Sequence, residues 1–288
     1  MTTTKDLLRP LQPLARSVIG ATATATSRLR MRPDFLIVGG QRCGTTSLFK
    51  TLAQHPEVAR PFAFKGVHYF DMHHDRSFGW YRGHFPIRIT SQLKRLGRRG
   101  PITGESSPFY GFHPLAPQRI AAELPGVRLL MLLRDPVERA YSAHSHERAR
   151  GFETETFERA LELEEERTHG EREKMLADPT YVSFHLQHHA YLARGRYIEQ
   201  IEALEAAVGP GRLHVVDSQE FFTRPEETFA GVLDFLGLPP HDGITFERHN
   251  ARDRNPMKSD MQQRLLAKFD ETDARLARWW GRPLSWRE

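Results

Sequence analysis

Short apolar runs alternate with helical patterns along most of the chain. The segment FLIVGG (residues 35–40) is an apolar run that ends in glycines, and VRLLMLL (127–133) is a second run of the same kind. Each is followed by a segment with apolar positions at helical spacing. Because buried parallel strands are apolar throughout and are joined by helical crossovers, the alternation predicts an α/β fold with a central, mainly parallel sheet flanked by helices.

The first residues do not follow this pattern. Residues 1–33 are basic, are interrupted by prolines and contain no apolar run long enough to span a bilayer. We predict a flexible N-terminal segment over residues 1–33 and a single domain over residues 34–288. The expected location is cytoplasmic. The alternative is a weak peripheral membrane contact through the apolar side chains of the segment, which are Leu7, Leu8, Leu11, Leu14, Val18 and Ile19.

Composition narrows the class of protein. The chain has 288 residues and a formal net charge of +5, with a pI near 9.5, which favours anionic ligands but is too small an excess to predict nucleic-acid binding. A single cysteine, Cys43, excludes an internal disulfide framework and fits a reducing compartment. His185 and His189 have the i, i+4 spacing of zinc ligands, but no third ligand accompanies them, so we predict no metal site.

The glycines after the first apolar run have the spacing of a phosphate-binding P-loop. Gly39 and Gly44 enclose four residues, and the loop lies between a predicted strand and a predicted helix. The helix N-terminus there directs N–H groups and a positive dipole end at a bound anion. The lysine that nucleotide triphosphatases place after the second glycine is replaced by Thr45. The loop therefore predicts an anion site without the residue that contacts β- and γ-phosphates.

A second strand–helix unit follows the second apolar run. Arg134 comes at the end of the strand, Asp135 suits the helix N-cap, Pro136 the first helical position, and Glu138 the third, from which its carboxylate returns to the cap. Because ligands of open parallel sheets bind at the carboxyl ends of strands, Arg134 and Ser142 predict a second phosphate site near the first. The alternative is that Arg134 pairs with a neighbouring carboxylate and Ser142 has no special role.

These segments resemble the P-loop sulfotransferases that use 3′-phosphoadenosine 5′-phosphosulfate (PAPS), most closely the bacterial members and the heparan sulfate sulfotransferase branch. The likeness covers nearly everything after Asp34. Its specific motifs are FLIVGGQRCGTTSLFKTLAQHP, which resembles the 5′-phosphosulfate loop, LLMLLRDPVERAYSAHSHE, which resembles the 3′-phosphate motif, and between them FKGVHYFD and GESSPFY.

The resemblance implies a set of cofactor-binding residues. The P-loop would hold the phosphosulfate, with Arg42, where the family usually has lysine, stabilising charge on the bridging oxygen. Arg134 and Ser142 would hold the 3′-phosphate, assisted by Arg252 or Arg254 in RHNARDRNPM. PAPS has no γ-phosphate to bridge, so no metal is expected. The P-loop residues concerned are Arg42, Cys43, Gly44, Thr45, Thr46 and Ser47.

The acceptor end departs from the family. Relatives of the heparan branch carry a glutamate after the lysine of FKGVHYFD, whereas this chain has Gly66, which cannot accept a proton. Lys65 remains to stabilise the sulfuryl oxygens, and His68 and Glu105 are alternative general bases. The alternative for His68 is an imidazole packed against its aromatic neighbours.

We therefore predict a sulfotransferase that moves the sulfuryl group of PAPS to a hydroxyl or amine acceptor, with a carbohydrate or glycolipid favoured by the heparan-branch likeness. Two alternatives stay open. A P-loop kinase or ATPase is disfavoured by Thr45 and by the absence of an acidic strand end for magnesium. A nucleotide-binding protein without catalytic activity is favoured only by Gly66.

Overall fold

A five-stranded parallel sheet forms the centre of the molecule. The computed structural model describes residues 24–61, 66–88, 100–249 and 257–288. The strand order is β2-β3-β1-β4-β5, and all four neighbouring pairs are parallel. The α/β class with helices flanking the sheet is confirmed. The strands are β1 (Phe35–Gly39), β2 (Val58–Ala59), β3 (Ile102–Ser106), β4 (Arg128–Leu133) and β5 (Leu213–Asp217).

Helices connect the strands and cover the sheet, as parallel pairing requires. In the first half of the chain they are α1 (Thr45–Leu52), α2 (Tyr69–Met72), α3 (Phe78–Arg82), α4 (Ala116–Glu123) and α5 (Pro136–Arg150). Between α5 and β5 they are α6 (Phe157–Glu162), α7 (Glu164–Thr168), α8 (Glu171–Ala177), α9 (Phe184–His188) and α10 (Tyr197–Val208). After β5 they are α11 (Ser218–Thr223), α12 (Pro225–Leu236), α13 (Ser259–Ala267) and α14 (Asp270–Trp280).

The central strands are buried from end to end. Every residue of β1 and the last five residues of β4 are inaccessible to solvent, which accounts for their uninterrupted apolar runs. β1 lies between β3 and β4, so the carboxyl ends of β1 and β4 are neighbours at one edge of the sheet. The P-loop and the segment that begins at Arg134 leave the sheet at that edge.

The helix after β4 begins with the predicted cap residue. The Asp135 side chain accepts hydrogen bonds from the amides of Val137 and Glu138, at 2.8 and 3.1 Å, so it caps α5. The Glu138 carboxylate accepts a hydrogen bond from the guanidinium of Arg134 at 3.1 Å. The return of this carboxylate to the cap stays a prediction.

The N-terminal boundary also differs from the prediction. Residues 27–29 form a 3₁₀ turn, Arg30 pairs with Ile87 in an isolated antiparallel bridge, and the Met31 side chain is buried in the main core. The last residues of the segment predicted to be flexible thus pack on the domain. The apolar residues proposed for membrane contact, from Leu7 to Ile19, lie outside the described residues. No helix within the described ranges combines the length and the apolar character that crossing a membrane requires.

Candidate active site

The P-loop joins the central strand to the first helix. Residues 40–44 connect β1 to α1, and Gly44 has the left-handed φ of 95° that a residue with a side chain rarely adopts. A Cβ at Gly44 would lie 3.1 Å from the ring of Phe222, which leaves little room for a side chain. Glycine is thus required both for the backbone angle and for the close approach, and it lets the N-terminus of α1 face the cavity described next.

A cavity of about 920 Å³ opens over this edge of the sheet. Its wall brings together most of the residues that the sequence motifs indicated, although they come from separate parts of the chain. The predicted residues on the wall are Arg42, Gly44, Thr45, Thr46, His68, Arg134 and Ser142. The P-loop, the second motif and the FKGVHYFD segment therefore share one site.

Arg42 and Ser142 connect the two phosphate motifs directly. The Nε of Arg42 donates a hydrogen bond to the Oγ of Ser142 at 3.1 Å, although the residues are 100 positions apart. Ser142 lies on the second turn of α5 and is 8% exposed. A bound molecule that contacts the P-loop is therefore also within reach of the α5 wall.

Arg134 is paired with a carboxylate in this structure. Its guanidinium Nη2 lies 3.1 Å from the Oε2 of Glu138, and the two side chains are 33% and 28% exposed. This is the alternative that the sequence left open for Arg134. Both side chains also line the cavity, so the cation still faces the space where an anion would bind.

Two predicted P-loop residues do not lie on the cavity wall. Cys43 is fully buried, its Sγ is 3.6 Å from the hydroxyl of Tyr197, and burial raises the pKa of the thiol. Its amide donates to the carbonyl of Gly40 at 3.2 Å. The Ser47 hydroxyl accepts a hydrogen bond from the amide of His249 at 2.9 Å. Cys43 therefore packs against Tyr197 on the buried side of the loop. Ser47 anchors the segment that contains His249 to α1.

His68 forms a pair with a buried carboxylate. Its Nδ1 lies 2.9 Å from the Oδ2 of Asp71, whose side chain is fully buried, while the imidazole is 38% exposed and lines the cavity. The His68 amide donates to the Ser107 hydroxyl at 3.1 Å, and its φ of 55° turns the chain sharply. The carboxylate thus orients the imidazole with Nδ1 directed inward.

Glu105 lies beneath this segment and does not reach the cavity wall. Its carboxylate is fully buried and burial raises its pKa, although several donors oppose that shift. The Ser107 hydroxyl that receives the His68 amide itself donates to Glu105 at 2.7 Å. The geometry makes Glu105 a support for the His68 segment. Its other donors are Tyr110 Oη at 2.7 Å, the Val67 amide at 3.0 Å and Tyr81 Oη at 3.3 Å.

Gly66, the position of the missing glutamate, has no room for a side chain. A Cβ built there would lie 2.5 Å from the carbonyl oxygen of Ser106 and 3.0 Å from the Ser107 hydroxyl. Contacts this short force the backbone to move. The chain has therefore adapted to glycine at this position, and a glutamate cannot simply be restored.

Three of the predicted site residues fall in segments that the structure does not describe. Lys65, Arg252 and Arg254 lie outside the described residues. The described residues on either side of Arg252 and Arg254 are His249 and Met257. The amide of His249 donates to Ser47 of α1, and Met257 packs in the apolar cluster that contains residues of α5.

The cavity wall also contains a charged side chain that the sequence motifs did not identify. Arg194 is buried, and burial lowers its pKa to about 9. Its Nη1 donates to the Oε1 of Gln41 in the P-loop at 2.6 Å, and its guanidinium lies 4.7 Å from the ring centre of Phe109. Charged residues of this kind occur throughout the chain, so only the fold distinguishes this arginine from those at the surface.

A second histidine–carboxylate pair lies farther along α5. The Nδ1 of His188 is 2.9 Å from the Oε2 of Glu147, and Arg150 Nη1 is 3.6 Å from the same oxygen. All three residues line the cavity. The spacing of Glu138, Ser142, His146 and Arg150, four residues apart on one helix, was the available sequence signal that one face of α5 forms this wall.

Comparisons with known proteins agree with this geometry. Residues 32–275 match the sulfotransferase domain family, and the chain belongs to that family. It is therefore a sulfotransferase, of a family whose members use PAPS as the donor. A solved sulfotransferase structure from Alicyclobacillus acidocaldarius is similar, with 30% identity, a TM-score of 0.66 and coverage of 90% of this chain and 100% of that chain.

Two curated relatives show the range of similar proteins. The membrane-associated sulfotransferase kil1 of Dictyostelium discoideum is 24% identical, and the match covers 90% of this chain and 67% of that protein. Human bifunctional heparan sulfate N-deacetylase/N-sulfotransferase 2 is 29% identical over 72% of this chain. The matched region spans only 22% of the length of that bifunctional protein.

Proposed function

We propose that the protein transfers the sulfuryl group of PAPS to a hydroxyl or amine of a carbohydrate or glycolipid acceptor. The observation that carries the proposal is the hydrogen bond between Arg42 of the P-loop and Ser142 of the second motif, at 3.1 Å in the wall of one cavity. It unites two anion-binding motifs in one site, and PAPS carries anionic groups at its 5′ and 3′ ends.

The P-loop and α5 would bind the two ends of the nucleotide. The N-terminus of α1 and the hydroxyls of Thr45 and Thr46 would hold the phosphosulfate. Arg134 would hold the 3′-phosphate, exchanging its contact with the Glu138 carboxylate for one with the more highly charged phosphate. Arg252 and Arg254 remain proposed contributors at this end.

His68 is the proposed general base. Transfer requires that the acceptor oxygen or nitrogen bond to sulfur, that the bond between sulfur and the bridging oxygen break, and that the acceptor lose its proton. The imidazole of His68, oriented by Asp71 at 2.9 Å, would take that proton. Arg42 would stabilise the electron pair left on the bridging oxygen, with adenosine 3′,5′-bisphosphate as the leaving group. Lys65 remains the proposed contact of the sulfuryl oxygens.

The carbohydrate part of the proposal is supported by the relatives. Heparan sulfate is named as the substrate of the bifunctional relatives, which match most of this chain. The cavity of about 920 Å³ also leaves space beyond the proposed nucleotide contacts. A protein that binds the nucleotide without catalysis is the second candidate, because Gly66 has replaced the glutamate of the heparan branch and cannot accommodate it.

Ligand protection and transfer assays test the proposal. Adenosine 3′,5′-bisphosphate should raise the thermal stability of the protein more than adenosine 5′-phosphosulfate or ATP with magnesium, because a tight ligand of the native state stabilises it. Sulfate from labelled PAPS should then appear on a component of a carbohydrate and glycolipid pool. Protection by ATP with magnesium alone would contradict the donor, and tight bisphosphate binding without transfer to any acceptor would favour the non-catalytic candidate.

A further inference from the structure

Exposed apolar side chains are concentrated in one segment of the chain, residues 176–184. Among the residues that the structure describes, the large apolar side chains with the greatest exposure are Leu29, Met72, Leu176, Val182 and Phe184. Three of these lie between residues 176 and 184. Val182 is 42% exposed and Phe184 is 45% exposed. Apolar groups grouped in this way at the mouth of a cavity indicate a binding surface.

The local structure holds Val182 and Phe184 outward. The intervening Ser183 is fully buried, its hydroxyl donates to Glu171, and it accepts the Leu186 amide at 3.0 Å as the cap of α9. Val182 and Phe184 flank this inward residue, and both apolar side chains are exposed. Their exposure is therefore built into the cap of α9.

The side chain of Phe184 continues the wall of the cavity. The ring of Phe184 is 4.6 Å from the ring of His188 and 5.9 Å from that of Phe152, between ring centres. His188 and Phe152 both line the cavity. We call Phe152, Val182 and Phe184 the apolar rim. Its inner edge is the cavity wall and its outer edge is the protein surface.

Polar contacts fix the inner edge of the rim. Glu147 is 1% exposed, holds His188 at 2.9 Å and lies 3.6 Å from Arg150. The Arg150 guanidinium lies 4.5 Å from the ring centre of Phe152. Eight residues of helix place Arg150 about 12 Å from Ser142. The inner edge of the rim therefore lies about two turns along α5 from the proposed nucleotide contact at Ser142.

We propose that the acceptor is an amphiphile, with a hydroxylated head group inside the cavity near His68 and an apolar chain that lies across the apolar rim. The inference rests on the proposed function, because it treats the cavity as the sulfuryl-transfer site. A purely polar acceptor would leave the rim uncovered. The continuity of the rim with the cavity favours the chain of the acceptor itself over a second protein molecule as the occupant.

The test compares head groups that differ only in chain length. Methyl, hexyl and octyl β-D-glucopyranosides are titrated calorimetrically, below their micelle-forming concentrations, into protein saturated with adenosine 3′,5′-bisphosphate. Each methylene that the rim fully covers should tighten binding up to about fourfold. We expect octyl glucoside to bind at least about tenfold tighter than methyl glucoside, and equal or undetectable binding of both would overturn the inference.

Variants identify the surface responsible. Phe184→Ser and Val182→Ser should each lower octyl glucoside affinity about threefold or more while methyl glucoside affinity stays the same. Leu29→Ser, which changes an even more exposed apolar residue on the 3₁₀ turn near the N-terminus, should change neither affinity. Equal losses in the Leu29 variant would contradict the inference, as would a Phe184-dependent dimer in sedimentation that octyl glucoside does not dissociate.

A separate arm distinguishes this inference from the proposed function. Absence of bisphosphate binding would count against the proposed function, and the glucoside series is then measured on nucleotide-free protein, where chain length decides the inference. Bisphosphate binding and sulfate transfer without any dependence on chain length would overturn the inference and leave the proposed function standing.

Discussion

The two ends of the cavity are built by different means. The nucleotide end consists of two strand–turn–helix units, in which a glycine loop and a helix cap place backbone groups and Arg42, Arg134 and Ser142 around an anion site. The proposed acceptor end includes side chains that are paired across a long stretch of chain, such as Glu147 with His188. Local backbone geometry therefore builds each unit of the proposed nucleotide end, and the contact between Arg42 and Ser142 joins the two units. At the proposed acceptor end, the pair of His68 with Asp71 is local, whereas the pair of Glu147 with His188 depends on the tertiary structure.

The largest effect should come from the acceptor end. His68→Ala should lower kcat by about 10²–10⁴, because the proposed general base is lost, while affinity for adenosine 3′,5′-bisphosphate stays unchanged. Turnover of the wild type should also fall in acid, because a protonated imidazole cannot accept a proton. His169→Ala removes an exposed histidine and serves as the control.

Glu105→Gln tests the competing base. It should perturb the position of the His68 segment and lower kcat less than His68→Ala does, because the carboxylate is buried below the cavity wall. Loss of turnover in Glu105→Gln at intact bisphosphate affinity, together with an active His68→Ala variant, would assign the base to Glu105. If neither variant lost more than a few-fold, the acceptor would need no strong base.

At the nucleotide end, Arg134→Ala should weaken PAPS binding by about 2 kcal/mol, because a partly buried phosphate loses a charged partner. Binding of adenosine 5′-phosphosulfate should change little, since it lacks the 3′-phosphate. Calorimetric titration of both nucleotides measures the difference. Arg159→Ala breaks an exposed ion pair with Glu162 and should affect neither nucleotide, and equal losses for both in Arg134→Ala would show that Arg134 supports the fold.

Lowering the pH should reduce the stability of the fold by protonating Glu153. Burial alone would raise the pKa of this carboxyl, but the amide of Glu155, Arg167 and the Tyr191 hydroxyl together lower it to about 2. Since the folded-state pKa lies below the ordinary value of 4.5, the ionised carboxylate stabilises the fold above that pH. We expect roughly 2 kcal/mol of this stability to be lost as the pH falls from about 4.5 towards 2.

Denaturant unfolding of Glu153→Gln at several pH values measures that contribution. The variant should be less stable than the wild type at neutral pH, and the difference between the two should shrink in acid. A constant difference at every pH would show that Glu153 acts through packing and not through its charge.

The smallest effect concerns metal ions. EDTA should leave sulfate transfer unchanged, because the proposed donor has no γ-phosphate for magnesium to bridge and Thr45 occupies the position of the P-loop lysine. Transfer that vanishes in EDTA and returns with magnesium would contradict this account and support a kinase-like nucleotide site.

The sequence by itself determined the class of fold and much of the nucleotide end. Apolar runs and helical spacing predicted the parallel sheet, and Asp135 at the cap of α5 was identified correctly. These features depend on interactions within a few residues, so the local sequence specifies them. Cys43 lies in the P-loop and Ser47 in the first turn of α1, yet their side chains contact Tyr197 and the His249 amide, which the local sequence cannot indicate.

Only the tertiary structure decided which side chains reach the cavity. His68 and Glu105 were equivalent candidates in the sequence, but burial of the β3 strand places the glutamate below the wall and the histidine on it. Arg42 meets Ser142 across 100 positions, and Gln41 meets Arg194 across 153. Such contacts depend on how the whole chain packs, because residues distant in sequence become neighbours only when the sheet and its helices have assembled.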